Sequence, residues 1–277
     1  MNAESQARES AESFRAEHYL GSQPVTDLIT VIEQSTKVDV AVLEAGADEH
    51  GLTIRDPKSG VVFIGVASTG NPMRQRSTLA HELGHVLFED WRDGEPDDWS
   101  ERSPEEVRAD AFARHLLLPL TGLREFLGTR TNVAEPILSE VVQRFLVSPQ
   151  VAAIVLHQAG YITESTKHSW MSTQSAPKLA SRYGWLDRYQ TLAAESKARR
   201  SPQRLLSRAI TGYELGVVSA QTIATLRGIE LTEAEAELQD AGVSPASQVV
   251  GWSSADDLPN VTIDLTELDN DLAGNGG

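Results

Sequence analysis

The sequence contains no cysteine, which excludes disulfides, thiolate metal ligands and a cysteine nucleophile. No apolar stretch approaches the roughly 18 residues that a membrane-spanning helix requires, so no membrane partner is expected. The opening stretch from Met1 to Arg15 is polar and acidic, without the apolar core of a signal peptide. Basic residues are also scarce: 24 Lys and Arg stand against 40 Asp and Glu, a net charge of −16. That balance argues against a broad, sequence-independent grip on nucleic acid. These absences together lead us to expect a soluble protein of the cytoplasm.

What is present is globular in character. Hydrophobic residues make up 40% and charged residues 23% of 277 positions, enough for a real core in two or three domains. Charge is unevenly spread. From Gly228 to Gly277 there are 11 acidic residues and no Lys or Arg, while Lys178 to Arg208 carries 8 basic residues against Asp187 and Glu195. The basic run leaves direct nucleic-acid binding open as a second reading, with a solvated helix face as the plainer one.

Read along the chain, Ser5 to Leu20 is a polar helix docked on one side, and Pro24 starts another through Val25, Leu28, Ile29 and Ile32. Val38, Val40 and Val42 alternate with Asp39 and Ala41 as in a half-buried strand, and Leu52 and Ile54 continue the alternation. After the turn Pro57-Lys58-Ser59-Gly60, Val61 to Val66 forms a third strand. A small antiparallel sheet is therefore expected. Asn71-Pro72 then caps a helix to about Phe88, with Leu79, Leu83, Val86 and Leu87 as its apolar stripe. An acidic loop runs from Glu89 to Glu101, and Ser103-Pro104 opens a further helix. Helices follow to Gly160, two of them joined through Val147-Ser148-Pro149 in a helix-turn-helix-like unit. Ser165 to Pro177 reads as a linker, Leu179 to Arg200 as a weak basic helix, and Ser201 to Gly242 as a compact helical module. The acidic end of the chain reads as disordered, with Val261-Thr262-Ile263 as a possible edge strand.

The helix from Asn71-Pro72 carries His81-Glu82-Leu83-Gly84-His85. Residues four apart on a helix share a face, so both imidazoles can reach one metal ion and Glu82 can meet a water bound to it. Five residues can match by chance, but a capped amphipathic helix directly after a hairpin is where zinc peptidases place them. A peptidase zinc takes a third protein ligand and keeps its fourth position for water. The metzincin extension would need glycine at 88 and histidine at 91; Phe88 and Trp91 stand there. A glutamate on a later helix is the gluzincin alternative, and Glu106 fits, with Asp110 one turn on to orient a ligand histidine. Ser103-x-x-Glu106 is equally a capping box, in which Glu106 folds back to the backbone. Glu105 and His115 are reserve ligands, and His18, His50, His157 and His168 have no ligand-like spacing. Gly84 costs about 1 kcal/mol of helix propensity, which implies a close neighbour.

Arg74-Gln75-Arg76-Ser77-Thr78-Leu79-Ala80-His81-Glu82-Leu83-Gly84-His85 resembles the ImmA/IrrE family of metallo-endopeptidases. So do Glu106-Val107-Arg108-Ala109-Asp110-Ala111-Phe112-Ala113, Leu116-Leu117-Leu118-Pro119, and Val147-Ser148-Pro149 through Gly160-Tyr161-Ile162. The resemblance spans about residues 10 to 165. It implies an α+β, gluzincin-like zinc fold and site-specific cleavage of a cytoplasmic repressor, often of the Xre helix-turn-helix type. It also implies one Zn2+ with a bound water, His81, His85 and Glu106 as ligands, and Glu82 as catalytic base. Ser77 replaces a frequent Phe and Arg108 a frequent acidic residue. Residues 166–250 are too short and too helical for the GAF-like sensor of the IrrE branch.

The expected division is a peptidase domain at 1–122, a helix-turn-helix-like segment at 123–165, a helical module at 166–250 with a basic beginning, and an acidic tail at 251–277. The expected function is zinc-dependent endopeptidase action on a helix-turn-helix repressor, relieving repression. The alternative is a regulatory protein- or DNA-binding module in which the peptidase site is accessory.

Overall fold

The computed structural model describes residues 2–44, 51–91, 103–131 and 133–246. His50, most of the expected acidic loop and the whole acidic tail lie outside the described residues. Those described build an α+β fold of thirteen helices and one three-stranded sheet.

Helix α1 (Ala3–Glu17) is capped by Asn2, whose side chain accepts the Ser5 N–H, and buries Ala7, Ala11 and Phe14. Helix α2 (Leu28–Thr36) starts later than Pro24 suggests. Asp27 accepts the Thr30 N–H at 3.0 Å, and this side-chain cap defines the start more strongly than an upstream proline. Strands β1 (Asp39–Leu43), β2 (Gly51–Arg55) and β3 (Val62–Ala67) lie in the order β1-β3-β2. β2 and β3 form the expected antiparallel hairpin, with Thr53 opposite Ile64. β1, however, pairs with β3 in parallel, Val40 opposite Ile64, so the sheet is mixed rather than antiparallel. The burial pattern gives the reason. β3 buries Ile64 and Val66 and takes the centre, while β2, with Leu52 and Ile54 exposed, takes the edge.

Helix α3 (Pro72–Leu87) begins as the sequence requires, with Asn71 accepting the Arg74 N–H and Pro72 in the first turn. Helix α4 (Pro104–Leu117) is capped by Ser103. The two pack closely because a Cβ on Gly84 would come within 3.2 Å of Ala109 Cα. The close neighbour of Gly84 is thus a helix. Arg15 completes this layer from α1. Its buried guanidinium donates to the carbonyls of Gly21, Leu116 and Gln23.

Beyond these come α5 (Leu120–Leu127), α6 (Glu135–Phe145), α7 (Pro149–Gln158), α8 (Glu164–Thr173), α9 (Ala176–Arg182) and α10 (Leu186–Lys197). The stretch that reads as a linker is mostly α8 and the start of α9. Ser and Thr side chains in it and just before it serve as caps, Thr163 accepting from Thr166 N and Ser175 from Lys178 N. The expected basic helix is broken at Gly184, at φ 77°, and Trp185 follows it into the core, donating to Ser139 Oγ at 2.9 Å. One apolar cluster holds buried side chains from Ala7 to Tyr189. A smaller one, built on Ala220, Ile223 and Leu238, unites α11 (Gln203–Glu214), α12 (Ala220–Arg227) and α13 (Leu231–Asp240). Between the clusters, Arg200 exchanges two backbone hydrogen bonds with Val42 at the outer edge of β1. Among the described residues no single helix is long and apolar enough to cross a membrane.

Candidate metal centre

His81 and His85 stand one turn apart on α3, and their Nε2 atoms are 3.0 Å from each other. Glu106, in the first turn of α4, brings one carboxylate oxygen to 3.1 Å from His81 Nε2 and the other to 3.4 Å from His85 Nε2. One donor atom from each of the three residues lies within 4.8 Å of the others, and this is the group among the described residues that could hold a metal ion. Donors of a tetrahedral zinc with bonds near 2.0–2.1 Å stand about 3.3 Å apart, so the observed spacing fits. Two imidazoles and a carboxylate, with no thiolate, is also the donor set of hydrolytic zinc sites.

Ser103 caps the helix, but the Glu106 carboxylate does not fold back to the backbone as the capping-box reading has it; both its oxygens face the histidines. The Glu106 backbone N–H lies 3.4 Å from Ser103 Oγ, the N-cap contact. Capping fixes where the helix starts and thereby where the carboxylate points. Glu105 is outside the group, and so is His115, which is buried with Nε2 2.8 Å from Glu4 Oε1. His157 and His168 both face Glu164, and His18 packs edge-on against Phe14.

The far side of each ring is also engaged. Asp110 Oδ1 lies 2.9 Å from His81 Nδ1, as one turn's spacing from Glu106 requires. Asp90 Oδ2 lies 3.1 Å from His85 Nδ1, a partner that sequence reasoning misses because Asp90 falls just past the helix end. A carboxylate that accepts a hydrogen bond from Nδ1–H fixes the proton on that nitrogen and leaves the Nε2 lone pair for a cation. Burial alone would lower the pKa of His81, but the hydrogen bond and charge of Asp110, with the charges of Glu106 and Glu82, outweigh it and raise the pKa. The same surplus of negative charge favours a cation between the rings.

Glu82 lies next to the metal group and against the edge strand. Thr53 of β2 donates from Oγ1 to Glu82 Oε2 at 2.6 Å. A Cβ on Gly51 would come within 2.6 Å of Glu82 Oε1 and 2.5 Å of Thr78 Cγ2. The carboxylate is thus held between a donor and a bare stretch of backbone. Only the position of Gly51, directly before the alternating Leu52 and Ile54, hints at this in the sequence. Among the described residues nothing pairs with the outer edge of β2.

A helix that presents two imidazoles and a glutamate beside a strand edge that is open among the described residues, with a third ligand on the next helix, is the layout of a metal-dependent peptidase. Residues 36–157 match the model of the Peptidase M78 family, described as the IrrE N-terminal-like domain. The match supports an ImmA/IrrE family metallopeptidase and contains every residue named in the metal group. No curated protein matches the chain significantly.

Proposed function

We propose that the protein is a zinc-dependent endopeptidase whose substrate is a cytoplasmic helix-turn-helix repressor of the Xre type, so that cleavage relieves repression. The observation that carries the peptidase part is the convergence of His81, His85 and Glu106 on one point with Glu82 alongside. In this reading those three residues hold the ion. Zinc supplies Lewis-acid polarisation of the scissile carbonyl and a lowered pKa for the attacking water. Glu82 takes the proton from that water and then passes it to the leaving amine. Thr53, donating to Oε2, leaves Oε1 of Glu82 for this exchange. Asp110 holds His81 in the tautomer that leaves Nε2 unprotonated. The outer edge of β2, unpaired among the described residues, gives an extended substrate segment a ladder to bind by β-augmentation, next to the base.

The DNA-binding alternative draws less support. Of the basic run and its neighbourhood, Arg182, Arg200 and Arg204 are engaged by Glu135, Glu33 and Asp39, which reduces the charge available to phosphates.

The test is Glu82→Gln in the full chain, co-expressed with the repressor encoded nearest to its gene and followed by mass analysis of fragments. Cleavage by the unchanged protein and a loss of about 10²–10⁴-fold in the variant, with zinc content and thermal unfolding unchanged, are the expected results. Undiminished cleavage by the variant would sink the mechanism. An intact repressor alongside cleavage of another protein would replace the substrate.

A further inference from the structure

α3 ends in a reversal that no glycine marks. After Phe88, Glu89 adopts left-handed backbone at φ 55°. Its N–H lies 3.2 Å from the Val86 carbonyl, and the Asp90 N–H lies 3.0 Å from the His85 carbonyl. This pair of bonds is the Schellman arrangement, whose left-handed position usually falls to glycine. A side chain there costs on the order of 1 kcal/mol. The reversal carries Asp90 back over His85, in the last turn of the helix it terminates. Asp90 is nearly buried, at 8% exposure of its side chain, with Oδ2 3.1 Å from His85 Nδ1. Its other oxygen pairs with Arg108 of α4. Arg108 in turn lies over the Phe88 ring, 4.2 Å from its centre, and donates to Gln6 Oε1 of α1 at 3.3 Å.

We propose that Asp90 and Arg108 are a positioning pair for His85, an inference that rests on reading the site as a metal centre. Asp90 holds the ring with its proton on Nδ1, so that Nε2 presents a lone pair toward His81 and Glu106. Arg108 holds Asp90, compensating a carboxylate that is otherwise almost out of water. Without Asp90 the ring can take the opposite tautomer, which points a proton at the metal position. The carboxylates behind the two rings differ in setting: Asp110 beside His81 is 45% exposed, whereas Asp90 beside His85 is enclosed and pairs with an arginine from the neighbouring helix. A charged hydrogen bond in the drier setting restrains its ring more strongly. The pair also accounts for Arg108 standing where an acidic residue would repel Asp90.

Zinc is added to the metal-stripped full chain in competition with a chromophoric chelator, for the unchanged protein, Asp90→Asn, Asp90→Ala, Arg108→Met and Arg108→Lys. In parallel, nitrogen–proton correlation spectra of the metal-free proteins report which nitrogen of His85 carries the proton. Asp90→Ala is expected to weaken zinc binding by about 10–100-fold, with Asp90→Asn in between, and both should move the His85 proton off Nδ1. Arg108→Met should give a smaller loss, of about tenfold or less, that Arg108→Lys partly restores. Asp90→Asn preserves volume and so separates positioning from folding. Zinc affinities within about twofold of the unchanged protein, together with an unmoved proton in both Asp90 variants, would overturn the proposal. Failure of the unchanged chain to bind zinc would instead remove the metallopeptidase reading, and the proton position would still decide what Asp90 does.

Discussion

Gly84 of α3 lies against Ala109 of α4 so closely that a Cβ on the glycine would meet the Ala109 Cα at 3.2 Å and Phe112 Cδ1 at 3.2 Å. These two residues set the separation of the helices that carry the histidines and Glu106. Replacing Gly84 with alanine gains about 1 kcal/mol of helix propensity but pushes on backbone that cannot yield cheaply. Gly84→Ala should therefore change the melting temperature little while weakening zinc binding, because Glu106 and Asp110 move away from the rings together. Gly84→Val should lose both, by about 1–3 kcal/mol of overpacking in stability. Calorimetry and a zinc titration on the same samples check the two effects.

Gly51→Ala tests the other side of the site. The added methyl would meet Glu82 Oε1 and Thr78 Cγ2, and the flexible member of that pair is the Glu82 carboxylate. Loss of peptidase turnover with zinc affinity preserved is the expected outcome. A variant that loses zinc as well would show that the strand, rather than the carboxylate, gave way.

Much of this arrangement is legible in the sequence. Asn71-Pro72 and Ser103-Pro104 announce the starts of α3 and α4, and one-turn spacings place Asp110 behind His81 once Glu106 is accepted as a ligand. The rest depends on contacts between distant segments. The parallel pairing of β1 with β3 depends on which strand is buried, and both carry alternating β-branched residues, Val40 and Val42 in one and Val62, Ile64 and Val66 in the other. Asp90 is hidden because its helix stops at a glutamate where glycine is the usual signal. The Ser/Thr stretch around α8 misleads because the same side chains that favour loops also cap helices. Arg108, a departure from the family pattern, makes sense only once Asp90 is seen beside it.

Arg15 gives a stability prediction away from the site. Its guanidinium is buried and donates to four carbonyls from two segments, those of Leu20, Gly21 and Gln23 and that of Leu116, and burial pushes its pKa down to about 10. Arg15→Met fills similar space but strands those carbonyls, and a loss of about 3–5 kcal/mol is expected. Arg15→Lys should recover only part of it, since an ammonium cannot reach all four at once. Chemical denaturation of the three proteins gives the comparison.

Acid should loosen the contact between α1 and α4. Burial alone would raise the pKa of Glu4, but its hydrogen bond and ion pair with Arg114, aided by His115, lower it below the ordinary 4.5. Burial holds His115 below its ordinary 6.5 against the opposing pull of Glu4. In both cases the unfolded chain binds protons at a higher pH than the folded one, so stability falls as pH falls. The His115 contribution starts to fade near 6.5 and the Glu4 contribution near 4.5. Melting temperatures across pH 7.5 to about 3.5 should show a shallower decline for His115→Gln in the upper part of the range and for Glu4→Gln in the lower. Parallel curves for all three proteins would refute the assignment.

The two backbone bonds between Val42 and Arg200 join residues far apart in the chain. During synthesis the strand that opens the sheet is made early, and the residue that covers its outer edge arrives only after the whole matched peptidase segment has been translated. Until then the growing chain presents the outer edge of β1 without this cover, an invitation to pair with other nascent chains. The late-made half of the protein thus works as an internal guard for the early half. Fragments that end before Arg200 should be recovered as aggregates even though they hold every residue of the metal group.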